Sequence, residues 1–199
     1  VVRQEFGFAQ YSQYDAVLYG GLLCVLLNNC DRVKIACQSL LINEGGMIST
    51  DSEGKAIRQS IFYPFMQMAK YAQGGYVLTP SIRSMAEVET DHYGQQNALV
   101  MACVWQPKKE EIVIFASNVD QENCVELNVD LSCFDEIAAV ERIEIYTEDM
   151  NEMNTFSEEF CVVPHGLPLN NPKKGMVRET LKPHSWNVLR YTAKERNMD

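Results

Sequence analysis

Two amides and a carboxylate lie close together in an apolar setting: Gln38 and Asn43 within DRVKIACQSLLIN (31–43), followed at once by Glu44. Open α/β sheets and barrels carry their function at the C-terminal ends of their strands. Asn43 ends this run and Glu44-Gly45-Gly46 begins the next loop, so Asn43 and Glu44 are candidates for ligand contact. The competing expectation has Asn43 capping local backbone and Glu44 solvated. Gln38 falls in mid-run, where a buried amide must find partners or cost about 1–3 kcal/mol. Internal satisfaction is the plainer expectation there.

Other chemistry is sparse. His92, His165 and His184 have no neighbouring Ser or Cys in a nucleophile-like setting, so no triad is legible. GLLCVLLNN lacks a phosphate-loop lysine and EGGM lacks the G-x-G-x-x-G pattern, which leaves nucleotide binding unsupported. Trp105 and Trp186 are possible sugar-stacking platforms, but each sits inside a strand-like run where core packing is expected. Glycoside hydrolysis needs two convergent carboxyl groups, and spacing here identifies no such pair. The seven cysteines contain no C-x-x-C pair and mostly lie in apolar runs, so they read as free thiols of a reducing compartment. No metal site and no cofactor are expected.

The elements that must carry these residues fall into two groups. Ser12 and Asp15 form a capping-box pattern ahead of a wide apolar face (Val17, Leu18, Leu22, Val25, Leu26), which predicts a helix over 12–30. Gly20 and Gly21 cost that helix about 1 kcal/mol each and point to close packing against a neighbour. Val33, Ile35 and Cys37 alternate, then Leu40, Leu41 and Ile42 continue without a polar break, the pattern of a strand covered on both sides. A second helix is predicted from about Tyr63, with Pro64 in its first turn and Gly74 past its end.

From Tyr76 the period changes to two. VELNVDL (125–131) places Val125, Leu127, Val129 and Leu131 on one face, and comparable runs are YVLTPSI (76–82), LVMACVW, EIVIFASNV, AVERIEIY, FCVV (160–163), MVRETL and WNVLRY. QPKKE (106–110) reads as a hairpin and HGLPLNNPKKG (165–175) as a longer loop. Eight short antiparallel strands predict a β-sandwich.

Charge divides at the same place. Residues 1–72 hold six basic and six acidic side chains, so the whole net charge of −10 falls in 73–199. An acidic segment repels phosphate backbones and anionic membrane surfaces, so neither nucleic acid nor membrane is an expected partner. No apolar stretch approaches the roughly 20 residues that cross a bilayer. The opening VVRQEFGFAQ suggests a piece cut from a longer protein. One strand cannot make a sheet, so 1–74 reads as an incomplete part of an α/β domain and 75–199 as a sandwich. The apolar piece should dimerise or dock onto the sandwich.

YDAVLYGGLL, DRVKIAC, LIN, IFYPFMQMAKYAQG, IVIFASN and HSWNVLR together, in this order, resemble the C-terminal portion of bacterial α-L-arabinofuranosidases of glycoside hydrolase family 51. The resemblance implies an α/β barrel remnant, the last helix-strand-helix of a (β/α)8 barrel, with 32–43 as its eighth strand, followed by an all-β antiparallel jelly-roll-like sandwich. It implies a retaining enzyme that acts on arabinose-containing oligosaccharides; the free thiols fit a cytoplasmic one, and the apolar piece makes a homo-oligomer the expectation. Both glutamates are expected on earlier strands, so this chain carries no catalytic residue and should be inactive alone. Gln38 and Asn43 would be substrate-binding. Where the family carries Gln on its last strand this chain has Leu40, with Gln38 two residues earlier on the same face. EGGMIST also departs from the family's apolar-Ala-Pro turn. A different expectation is a noncatalytic β-sandwich module binding carbohydrate or a protein, marked by an exposed aromatic row.

Overall fold

A computed structural model of the chain describes residues 10–81, 83 and 86–196. The N-terminal residues 1–9 of the first expected segment, and Ile82 of the run 76–82, lie outside the described residues.

Helix α1 (Gln13–Asn28) starts where the capping box predicts: Ser12 Oγ accepts from Asp15 N, while Asp15 Oδ2 accepts from Ser12 N at 2.8 Å. Strands β1 (Ile48–Thr50) and β2 (Ala56–Arg58) form a short hairpin before α2 (Phe62–Ala72). Pro64 lies in the first turn of α2, and Gly74 follows its end at φ 77°, a backbone state that glycine adopts without strain.

The remaining elements are β3 (Tyr76–Leu78), β4 (Glu87–Thr90), β5 (Gly94–Asn97), β6 (Leu99–Gln106), β7 (Glu111–Asn118), β8 (Val125–Asp130), β9 (Phe134–Ile145), β10 (His165–Leu167), β11 (Met176–Leu181) and β12 (Ser185–Glu195). A six-stranded antiparallel sheet in the order β10-β9-β12-β7-β6-β3 forms the centre. Period-two alternation gives this sheet two apolar faces. Ala102, Val104, Val113, Phe115 and Val188 face Val17 and Cys24 of α1 and Tyr63, Met68 and Tyr71 of α2. Cys103, Ile112, Ile114, Leu189 and Tyr191 face Leu127 of β8 and Val177 and Leu181 of β11, which pair as a second sheet. The layers are therefore helices, large sheet, small sheet.

The docking of the helices rests on one close approach. Trp186 of β12 is fully buried, its Nε1 donates to Gln67 Oε1 of α2 at 2.7 Å, and its ring stacks on Phe115. Gly20 of α1 lies directly over it: a Cβ there would stand 2.3 Å from Trp186 Cε3. The helical piece thus docks on the sandwich, one of the two outcomes expected of it.

Three expectations differ from the structure: HGLPLNNPKKG, read as a loop, begins with β10 paired to β9, and two segments read as strands are not strands. Residues 31–43 form no barrel strand here; the segment leaves α1 through a turn and runs on without regular structure, and its strand-like pairing among the described residues is one parallel bridge, Ile42 to Ile48. A stave needs hydrogen-bonding neighbours along both edges; among the described residues this segment has that one bridge, and Ile35 is 82% exposed with Leu40, Leu41 and Ile42 exposed too. FCVV is not a strand either: Asn154 accepts from Val162 N and donates to Val162 O, holding the segment as a loop. The hairpin β4-β5, pairing polar EVET with GQQN, carries no apolar alternation and was not expected.

Adjacent glycines should respond with opposite signs. Gly20→Ala should cost about 1–3 kcal/mol by overpacking Trp186, more than the roughly 1 kcal/mol by which alanine favours a helix interior. Gly21→Ala, whose Cβ would meet nothing closer than 3.7 Å, should be neutral or stabilising. Urea denaturation of the two variants checks both.

Candidate functional site

The segment carrying Gln38 and Asn43 folds into a hook ahead of β1. Asn43, Glu44 and Gly45 take φ of 55°, 37° and 88°, and Gly46 N donates to Asn43 O. A Cβ on Gly46 would lie 2.7 Å from Asn43 O and from the Leu41 carbonyl carbon. Gly45 and Gly46 are therefore what the turn requires; asparagine tolerates the left-handed region at 43, whereas Glu44 takes a positive φ that side chains of its kind seldom adopt.

Asn43 ties the hook to β1: Oδ1 accepts from Thr50 N at 2.8 Å and Nδ2 donates to Thr50 Oγ1 at 2.9 Å. Gln38 ties it to α1. Its Oε1 accepts from Tyr19 Oη at 3.0 Å and its Nε2 donates to Gly45 O at 3.1 Å, a carbonyl that also accepts from Tyr11 Oη at 2.8 Å. Burial raises the Tyr11 hydroxyl, with Asp15 adding to the effect, and burial raises Tyr19 with Tyr11 adding. Both phenols remain neutral donors. The structure thus brings both predicted amides to one half-buried hook, each with internal partners, while Glu44 is exposed and Leu40 points no amide here.

Elsewhere the polar groups are committed to structure. Arg142 is buried between Glu179 (Nη1 to Oε2, 2.9 Å) and Glu144 (Nη2 to Oε1, 3.5 Å) and also donates to Asn187 Oδ1 and Thr180 O. Glu179 Oε1 accepts from the backbone and side chain of Asn170, and Glu144 Oε2 pairs with Lys182 at 3.1 Å. These carboxylates clamp β9, β11 and β12 rather than face a cleft. His184 places its two ring nitrogens on Gln121 O and Thr147 O and stacks on Tyr146.

Glu152, Glu158 and Cys161 bring possible ligand atoms within 4.8 Å of one another, a grouping that spacing did not suggest. Burial and then the two carboxylates push the Cys161 thiol up. Of the two tryptophans, Trp186 is core. Trp105 is partly buried between Tyr76 and Phe134 with rings tilted by 31° and 51°, so these three rings form no flat row for a sugar chain.

Helices on one face of an antiparallel sandwich, joined by an apolar segment that is largely exposed among the described residues, define the class of domain. The chain matches the family model described as the alpha-L-arabinofuranosidase C-terminal domain over residues 3–185, and it belongs to that family. It is 34% identical over 180 residues to an intracellular exo-alpha-(1->5)-L-arabinofuranosidase of Streptomyces lividans, covering 90% of this chain and 27% of that one. It is 35% identical over 181 residues to an exo-alpha-(1->6)-L-arabinofuranosidase of Bifidobacterium longum, covering 90% and 34%. A solved family 51 alpha-L-arabinofuranosidase from Bifidobacterium longum superposes with a TM-score of 0.84 at 29% identity, over 92% of this chain and 34% of that one. The chain therefore spans about a third of the length of these relatives. No helix among the described residues is long and apolar enough to cross a membrane.

Removing Arg142 would leave the buried Glu179 without its counter-charge and Glu144 with Lys182 alone, so Arg142→Met should lower stability by about 3–5 kcal/mol. Equilibrium unfolding in urea against the unsubstituted chain gives the measurement.

Proposed function

We propose that this chain is the C-terminal part of a retaining glycoside hydrolase that releases terminal α-L-arabinofuranosyl groups from arabinose-containing oligo- and polysaccharides. In this reading residues 1–74 complete the (β/α)8 barrel of the parent and 75–199 form the sandwich that braces it. Retention requires two carboxyl groups about 5–5.5 Å apart, one an acid/base and the other a nucleophile. The parent supplies both from outside this chain. The parent is cytoplasmic and self-associates; the relatives' printed names, intracellular arabinofuranosidases, support the first part.

The observation that carries this reading is the segment 31–43. It is apolar on both sides and mostly exposed, and it hangs between two helices that are themselves well formed. Exposed apolar surface of this kind marks an interface. As the last stave of a barrel it would gain pairing on both edges, and its C-terminal end, where Asn43 sits, would open on the face that carries barrel active sites. Gln38 and Asn43 would then exchange the Tyr19 and Thr50 contacts for sugar hydroxyls. Leu40, on the face of Gln38, gives that margin an apolar contact in place of an amide.

With 4-nitrophenyl α-L-arabinofuranoside, the parent should turn over and this chain alone should not. Gln38→Ala and Asn43→Ala in the parent should lower kcat/KM by about 10-fold or more, as loss of a hydrogen bond to substrate of roughly 1.5 kcal/mol would. Unchanged kinetics for either variant removes that residue from the site. Trypsin adds an independent reading: Arg32 and Lys34 are exposed here, so the isolated chain should be cut there first and the intact parent should resist.

A further inference from the structure

Helix α1 is apolar all round, and a helix of that composition is buried on both sides. Among the described residues only one side is covered. Val17, Gly20 and Cys24 sit on the sheet, while Leu18, Leu22 and Val25 are exposed, Leu22 by 62%. These three residues floor a groove of about 1430 Å³ whose opposite wall is the hairpin β4-β5 and the turn after β7.

That wall is acidic. Glu87, Glu89 and Asp91 on the hairpin and Asp120 and Glu122 on the turn line the groove, with no Lys or Arg among its lining residues. None of the five forms an ion pair among the described residues. Burial works against the charge on Asp120, but hydrogen bonds from Glu122 N, Asn123 N and Asn123 Nδ2 outweigh it and hold the carboxyl below its ordinary range. An apolar floor beside an unpaired acidic wall is complementary to one kind of occupant, an amphipathic helix with aliphatic residues on one side and Lys or Arg along the adjoining edge.

We infer that this groove seats a basic-edged amphipathic helix contributed by the remainder of the parent polypeptide, so that α1 is buried between the sandwich and that helix. The inference rests on the reading that such a parent exists, since the chain spans about a third of its relatives' length. A second copy of this chain fits poorly: it carries a net charge of −10 and would bring another acidic groove to an acidic wall.

Amide hydrogen exchange on the intact parent and on this chain alone tests the seat. Amides of 18–26 and 87–97 should exchange at least 10-fold more slowly in the parent. Glu87→Lys, Glu89→Lys and Asp91→Lys combined should return that protection at least halfway, on a logarithmic scale, towards the rates of the isolated chain. All three positions are exposed, so the same triple variant of the isolated chain should keep its thermal midpoint, which separates loss of docking from loss of folding. Leu22→Asp, equally exposed in the isolated chain, should abolish the protection. Equal exchange in both forms overturns the inference, as does protection indifferent to the triple variant. Protection already present in the isolated chain, with sedimentation that depends on concentration, assigns the groove to a second copy and overturns it as well. Release of 4-nitrophenol is scored separately: an active parent without protection sinks the groove alone, whereas an inactive parent with protection sinks the proposed activity and keeps the groove.

Discussion

The contact between Gly20 and Trp186 is the constraint on which the arrangement turns. A full indole lies where a helix backbone must pass, and only a residue without a side chain lets the two surfaces meet. The same indole is fixed from the other helix by Gln67 and from its own sheet by Phe115. Both helices are therefore registered against the sheet by one side chain. Asn28 Nδ2 donating to Met101 O, Ser117 Oγ donating to Val17 O and Gln13 Nε2 donating to Ile145 O at 3.4 Å fix the length of α1 along β6, β7 and β9. The core on this face belongs equally to the helical and the sheet parts of the chain.

The opposite face is held differently. There the small sheet β8-β11 covers aliphatic residues of the large one, and the buried Arg142 with its two carboxylates ties β9 to β11. A buried ionic cluster of this sort adds little net stability compared with an apolar equivalent, but its geometry admits one register. The two faces divide the labour: apolar shape complementarity sets the helices, and charge sets the second sheet.

Much of this was legible in the sequence because it is local. The capping box at Ser12 and Asp15, the first-turn proline and Gly74 each name a helix boundary through their own backbone chemistry, and the alternation in β7 and β8 names a face. The close approach at Gly20 was legible as a need, though its partner 166 positions away was not. Segment 31–43 reads as a strand, yet pairing is a property of neighbours, and among the described residues its one bridge partner is Ile48. The β4-β5 hairpin was invisible for the opposite reason: both strands are exposed and polar, so no period marks them. At the candidate site the residue types were legible, as was the turn that Gly45 and Gly46 make. The Tyr11, Tyr19 and Thr50 partners of the hook arise from chain crossings that spacing does not encode.

The shared core beneath Trp186 also bears on modularity. A sandwich whose inner face is finished by its own strands can be moved between proteins as a unit, but this one is finished by two helices that precede it in the chain. Wherever the sandwich is transplanted, α1 and α2 must travel with it, and with them the apolar segment strung between them. The recombination seam in such proteins is therefore pushed upstream of residue 12, into whatever those helices in turn require.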